Sequence, residues 1–225
     1  DDNSGGTPDN FMVTATASPG QWGQDIGEVN LGLDASPFVA IGFPDDYDSD
    51  PDSGDTNLWV AVSSPDIGDI FLIEGVDADD GDSNAISMFD DIGGEGPMDF
   101  ASIAVSGDYG DEIILAGELS NPTVWISDDG GYGWGDVDKS PTGEYWTHVY
   151  MGADVVWDGE VFDPDDGMVF ASTFGDESAV SRSDDGGQLF NQVGLIDTDI
   201  DDIHALGFHP AFPDPATYLM ITPDN

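Results

Sequence analysis

The chain has 225 residues, of which 48 are Asp or Glu and two are Lys or Arg, so its formal net charge at neutral pH is −46. A surface this negative repels nucleic-acid phosphates and anionic lipid headgroups, and it has almost no cations with which to bind either. We therefore expect no nucleic-acid partner, and no membrane insertion either, because the sequence lacks an apolar run of about 18 residues.

The acidity does not indicate intrinsic disorder, because 39% of the residues are hydrophobic and 11% are aromatic. That content is sufficient for a buried core. Cysteine is absent, so no disulfide framework points to a particular compartment. Self-repulsion among so many carboxylates should destabilise the folded state unless cations condense on them, which favours a saline or calcium-containing exterior.

The apolar runs are short, rich in Val, Ile, Phe and Trp, and bounded by Gly, Pro, Asp and Ser. This pattern predicts β-strands separated by turns, and helical periodicity is absent. In chain order the predicted strands are FMVTATA, FVAIGF, LWVAVSS, IFLIEG, ASIAVSG, EIILAGE, PTVWIS, WTHVYMG, MVFAST, AVSRS, IHALGFH and TYLMIT.

Four of these strand pairs share a Pro-, Gly- and Asp-rich connector and form a loose repeat. When Phe43, Val105, Phe162 and Phe208 are aligned, the intervals are 62, 57 and 46 residues. A period of about 50 residues is typical of propeller blades. The predicted units cover residues 37–98, 99–152, 153–200 and 201–225, and residues 1–36 supply strands that complete the last blade.

Two segments, SDDGGYGW and SDDGGQLF, fit the pattern S-x-D-x-G-x-x-[W/F] and lie 56 residues apart. In such a pattern Ser and Asp hydrogen-bond the turn backbone, Gly supplies a positive φ, and the aromatic residue packs on a neighbouring unit. The matching residues are Ser127, Asp129, Gly131 and Trp134 in the first segment, and Ser183, Asp185, Gly187 and Phe190 in the second.

These two segments resemble the Asp-box, or BNR repeat, of sialidase-like β-propellers. The resemblance implies an all-β propeller of four-stranded antiparallel blades, in which each box is the hairpin between the third and fourth strands, at the blade periphery. It therefore implies a structural role for both boxes. The chain has about four blades, or it is a segment of a larger propeller, or another subunit completes its edges; the sequence leaves these alternatives open.

Enzymatic activity is not expected. The sialidase-like family holds its substrate carboxylate with three arginines, whereas Arg182 is the single arginine of this chain. Among 48 acids, carboxylate pairs at glycosidase spacing occur by chance, so no catalytic pair is identified. The three histidines form no metalloprotease motif, and nucleotide-binding or nucleophile-elbow motifs are absent.

Two acidic stretches are candidate Ca²⁺ sites, because alternating acids in a loop can direct several oxygens to one hard cation. The alternative interpretation is that both are solvated loops. The first stretch contains Asp46, Asp48, Asp50 and Asp52, and the second contains Asp77, Asp79, Asp80 and Asp82.

The composition also resembles that of secreted prokaryotic surface proteins, including surface-layer (S-layer) and extracellular filament components. We therefore expect a secreted, non-enzymatic structural or interaction module at the cell surface, whose partners are other copies of itself or other surface proteins. A second hypothesis is a carbohydrate-binding or glycoside-hydrolysing propeller, with exposed Trp22, Trp59, Trp146 or Trp157 stacking on sugars. A third is an assembly or adaptor propeller that binds a protein partner.

Overall fold

A computed structural model describes residues 38–48, 56–63, 68–75, 84–152, 167–175, 178–193, 205–208 and 218–221. Within these ranges the regular structure is β-strand, apart from one π-helical turn at Met88–Ile92. The predicted strand at 11–17 and the predicted completion of the last blade by residues 1–36 lie outside the described residues.

The described strands form three four-stranded antiparallel sheets and one two-stranded sheet. In each sheet the strands pair in chain order. The first sheet comprises β1 (Phe38–Gly42), β2 (Leu58–Ser63), β3 (Asp69–Glu74) and β4 (Asn84–Ser87). The second comprises β5 (Phe100–Ser106), β6 (Ile113–Glu118), β7 (Val124–Ser127) and β8 (Gly135–Asp136). The third comprises β9 (Tyr145–Met151), β10 (Val169–Phe174), β11 (Val180–Ser183) and β12 (Asn191–Gln192), and the last pairs β13 (Ala205–Phe208) with β14 (Tyr218–Ile221).

Apolar side chains between successive sheets form two cores. The first core lies between the first and second sheets and consists of Trp59, Ala61, Ile70, Leu72, Met88, Phe89, Phe100, Ile103, Ile114, Ala116 and Trp134. The second core lies between the second and third sheets and consists of Ile113, Leu115, Val124, Ile126, Val137, Val149, Val169, Ala171 and Phe190. Strand β6 contributes to both cores because its successive side chains point to opposite faces, which explains its nearly continuous apolar sequence.

Small residues allow the first strands of neighbouring sheets to approach closely. A Cβ on Gly42 of β1 would lie 2.5 Å from Val105 Cγ2 of β5. Between β5 and β9, the Ser102 hydroxyl donates to the Thr147 carbonyl and accepts from the Val149 N–H, both at 2.9 Å. The sheets therefore stack face to face along their first strands, which is a propeller-like arrangement and confirms the predicted fold class of four-stranded antiparallel sheets.

One predicted boundary is wrong. Strand β9 was assigned to the unit that ends at residue 152, but it pairs with β10 in the third sheet, with Val169 opposite Met151. The repeat alignment instead places the segment around Phe162 at the start of the 153–200 unit, and that segment lies outside the described residues. Strand β9 is positioned by its contacts with Ser102 of the preceding sheet.

Candidate functional site in the acidic hairpins and surrounding loops

The first acidic hairpin, called hairpin A, comprises Ser127–Trp134 and connects β7 to β8. The Ser127 hydroxyl donates to Asp129 Oδ1 at 2.9 Å and accepts from the Gly131 N–H at 2.8 Å. The same Asp129 oxygen accepts from the Gly133 N–H at 2.8 Å. Two short polar side chains therefore satisfy the backbone donors of the turn, as Ser and Asp commonly do.

The second acidic hairpin, called hairpin B, comprises Ser183–Phe190 and connects β11 to β12. The Ser183 hydroxyl donates to Asp185 Oδ1 at 2.5 Å and accepts from the Gly187 N–H at 2.9 Å. The Leu189 N–H donates to the same Asp185 oxygen at 2.9 Å. Hairpins A and B thus share one set of hydrogen bonds and one position in their sheets.

A third feature that the two hairpins share is a glycine that faces the preceding sheet. Gly131 has φ +84° and Gly187 has φ +107°, in the region where L side chains are strained. A Cβ on Gly131 would lie 2.4 Å from Trp59 Cη2, and a Cβ on Gly187 would lie 3.1 Å from Leu115 Cδ1. Both positions therefore require glycine for backbone conformation, and Gly131 requires it for space as well.

The aromatic residue that ends each hairpin is buried between two sheets. Trp134 belongs to the first core and Phe190 to the second. The Trp134 indole N–H also donates to the Gly131 carbonyl at 3.0 Å, so its polar atom is satisfied. Asp129 and Asp185 accept hydrogen bonds from their own turns. The arrangement of both hairpins is therefore one that stabilises the turn, rather than that of a catalytic site.

Three carboxylates that the sequence does not single out, Asp69, Glu112 and Glu118, are buried within the described ranges. Glu112, fully buried, accepts from the Trp59 indole N–H at 3.0 Å and also from the Gly110 N–H. Asp69, 2% exposed, accepts from the Ile70 N–H at 2.7 Å and from a second N–H at the π-helical turn. Their only sequence signal is an acid directly adjacent to an apolar run, and that signal is lost among so many acids.

Burial raises the pKa of the Asp69 carboxyl above its ordinary value of 3.8, and the nearby Asp90 charge adds to this effect. The hydrogen bonds from Ser87 and from the Ile70 and Asp90 amides act in the opposite direction, because they stabilise the ionised form. Desolvation is the largest contribution, so the net effect of the surroundings disfavours the ionised form of Asp69.

The first candidate Ca²⁺ loop is described only in part. Asp46 Oδ1 accepts from the Tyr109 N–H at 2.9 Å, and Asp45 Oδ2 accepts from the Gly107 N–H at 2.8 Å, so this end of the loop binds the β5–β6 turn. Asp48 is exposed. The remaining predicted ligands, Asp50, Asp52, Asp77, Asp79, Asp80 and Asp82, lie outside the described residues.

Within the described ranges, no three His, Asp or Glu side chains are grouped so that they could hold a metal ion. Counter-charge from the chain itself is also scarce there. Arg182 pairs with Asp184 at 2.7 Å, with both side chains about half exposed, and this is the single ion pair in the described ranges. The Lys139 ammonium instead donates to the Asn191 amide oxygen at 2.7 Å.

Two of the four tryptophans proposed to stack on sugars, Trp59 and Trp146, lie within the described residues. Trp59 is fully buried in the first core, so its predicted stacking on a ligand is wrong. Trp146 is half-buried, has φ +50°, and packs against Phe174 with ring centroids 4.7 Å apart. Trp22 and Trp157 lie outside the described residues.

His148 lies on β9, and burial lowers the pKa of its imidazole below the ordinary value of 6.5. His204 and His209 lie outside the described residues. The ring centroid of His148 lies 6.4 Å from that of Phe174, and Ser172 is opposite His148 in the β9–β10 ladder.

None of the described helical segments has the length and apolar character that crossing a bilayer requires.

No protein-family model matches the chain, and no curated protein matches it. A solved structure to which it is similar is YCF48 from Cyanidioschyzon merolae, with 15% sequence identity and a TM-score of 0.38. That alignment covers 72% of this chain and 39% of the other, so the chain spans well under half of that protein.

Proposed function

We propose that this chain is an Asp-box propeller that serves as a non-enzymatic structural or interaction module of a secreted, cell-surface assembly. The Asp-box assignment is supported by hairpins A and B, which share their hydrogen bonds, their glycine conformation and their position between third and fourth strands. Both hairpins use their polar groups to fix their own turns and bury their aromatic residues between sheets, and this argues for a structural role.

The observation that carries the proposal is the imbalance between acids and available counter-charge. The chain has a net charge of −46, and its described ranges hold one exposed ion pair. Solution cations must therefore supply most of the neutralisation. A saline or Ca²⁺-containing exterior provides them continuously, and divalent ions can also bridge acidic surfaces of neighbouring copies or of other surface proteins.

The experiment measures the melting temperature as NaCl, MgCl₂ and CaCl₂ are varied at matched ionic strength. We expect the melting temperature to rise with every salt, and Ca²⁺ to add a further increase that EGTA removes. Negative-stain microscopy should then show ordered arrays or filaments upon addition of Ca²⁺. A melting temperature independent of salt would contradict the proposal.

A matched pair of variants separates Ca²⁺ binding from general screening. Asp48→Asn lies in the first candidate Ca²⁺ loop, whereas Asp136→Asn lies on β8, and each removes one exposed carboxylate. If that loop binds Ca²⁺, Asp48→Asn loses the Ca²⁺-specific increase and Asp136→Asn keeps it. Equal behaviour of the two variants would indicate screening alone.

The carbohydrate-binding and hydrolysing hypothesis is weakened by the burial of Trp59. A glycan array and an assay for released reducing sugar test it directly, and we expect neither to give a signal. The protein-binding hypothesis has a specific observation in its favour, the exposed side chains of Tyr109 and Tyr132 on the second sheet.

A further inference from the structure

Two tyrosines from different turns of the second sheet are exposed on one surface. Tyr109, in the β5–β6 turn, is 38% exposed, and Tyr132, in hairpin A, is 65% exposed. The two turns are in contact, because a Cβ on Gly130 of hairpin A would lie 3.7 Å from the Gly110 carbonyl oxygen of the β5–β6 turn. Burial and the nearby Glu74 and Tyr132 groups raise the pKa of the Tyr109 phenol, which also hydrogen-bonds the Glu74 side chain at the end of β3. Residues from the first and second sheets thus meet in one patch, which we call the tyrosine patch (Glu74, Tyr109 and Tyr132).

The backbone beneath both rings is fixed by hydrogen bonds. The Tyr109 N–H donates to Asp46 Oδ1 at 2.9 Å. The neighbours of Tyr132 are Gly131 and Gly133, whose N–H groups are held at 2.8 Å by the side chains of hairpin A. Rigid, exposed aromatic side chains lose little conformational entropy on binding, so they are efficient contact residues.

The charge of the chain restricts what can bind there. The potential around a molecule with a net charge of −46 attracts cations and repels anionic ligands. A cationic head placed against a tyrosine face gains from cation–π attraction, and a carboxylate beside it adds charge complementarity. A second copy has only Lys139 and Arg182 to offer, and these contact Asn191 and Asp184.

We propose that the tyrosine patch is a docking site for Arg or Lys side chains of a basic segment of a different protein. The aromatic faces of Tyr109 and Tyr132 contact the cationic head, and Glu74 supplies the counter-charge. This inference rests on the proposed role as an interaction module, and it identifies the chemistry of one partner.

The test uses a hexa-arginine peptide as probe and compares Tyr132→Ala with Gln188→Ala. Gln188 occupies in hairpin B the position that Tyr132 occupies in hairpin A, so it controls for a half-buried polar side chain at the same position of the equivalent turn. We expect Tyr132→Ala to weaken binding about two- to fivefold and Gln188→Ala to leave it unchanged. The slope of log affinity against log salt should be the same for both variants, because neither changes the charge.

Equal affinities of the two variants would overturn the inference, since they would show that binding follows net charge alone. Binding of an uncharged oligosaccharide that Tyr132→Ala abolishes would also overturn it, because the patch would then be a sugar site. Tyr109→Phe keeps the ring and removes the hydrogen bond to Glu74, so we expect it to retain most of the affinity. Salt-dependent stability and Ca²⁺-dependent assembly are measured without the peptide, so failure here leaves the proposed function standing.

Discussion

The indole N–H of Trp59 donates a 3.0 Å hydrogen bond to the carboxylate of Glu112, a residue 53 positions further along the chain, and both side chains are fully buried. Trp59 lies on β2 of the first sheet, and Glu112 precedes β6 of the second. This bond therefore joins two sheets through polar groups inside an otherwise apolar interface. Removing Glu112 leaves the buried Trp59 N–H without its acceptor, whereas removing the Trp59 N–H leaves Glu112 with the Gly110 N–H. An unsatisfied buried donor is costly.

Glu112→Ala should destabilise the fold by about 1–3 kcal/mol, because the Trp59 N–H becomes an unsatisfied buried donor. Asp111→Ala is the matched control, since it removes a neighbouring acid that is exposed. Chemical denaturation at constant salt measures both. A double-mutant cycle with Trp59→Phe should give a coupling free energy of about 0.5–3 kcal/mol, and additive effects would show that the bond contributes nothing.

Alanine at the hairpin glycines should test the fit between sheets. Gly131→Ala combines a positive φ with a 2.4 Å clash against Trp59, so we expect a loss of about 2–3 kcal/mol. Gly187→Ala should cost less, because Leu115 can shift by a few tenths of an ångström. Gly135→Ala, which has open space around its Cβ position, should be close to neutral. Equal melting temperatures for the three variants would contradict this ranking.

The serines of hairpins A and B should matter for hydrogen bonding rather than for packing. Ser127→Ala and Ser183→Ala each remove the acceptor of a buried glycine N–H, so we expect each to lower the free energy of unfolding by about 1–3 kcal/mol. Ser172 is the control, because its buried hydroxyl has no hydrogen-bond partner within the described ranges. Ser172→Ala should be neutral or stabilising, and a loss as large as that of Ser127→Ala would show that side-chain volume is responsible.

Asp69 gives a prediction about pH. Its pKa is raised in the folded state, mainly by burial, so the stability it contributes is present below pH 3.8 and is lost as the pH rises through the folded-state value. Asp69→Asn keeps an oxygen acceptor without the charge, so it should be more stable than the parent at neutral pH. The difference should shrink as the pH falls below 3.8. An advantage of the Asn variant that is constant with pH would rule out ionisation as its cause.

Local patterns predicted the strands and hairpins well, because their causes are local. The run around Trp59 is apolar and β-branched, and the S-x-D-x-G spacing brings the Ser and Asp oxygens within reach of turn N–H groups. The assignment of β9 to a sheet was wrong, because that pairing depends on contacts with Ser102 of a different sheet. The candidate site was predictable only in part for a similar reason: the meeting of Glu74, Tyr109 and Tyr132 depends on one strand end and two turns that are distant in sequence.

The amino-acid sequence by itself determined that this chain is all-β, that it repeats, that two of its turns are built alike, and that its carboxylates far outnumber its basic side chains. These properties follow from composition, from alternation of side chains along a strand, and from turn chemistry within about eight residues. The tertiary structure alone decided which acids are buried, which aromatic rings are exposed, and which strand begins the third sheet. Burial and sheet pairing depend on which distant residues pack against a given residue. In a chain with 48 acids, nothing in the local sequence distinguishes Glu112 from its solvated neighbours.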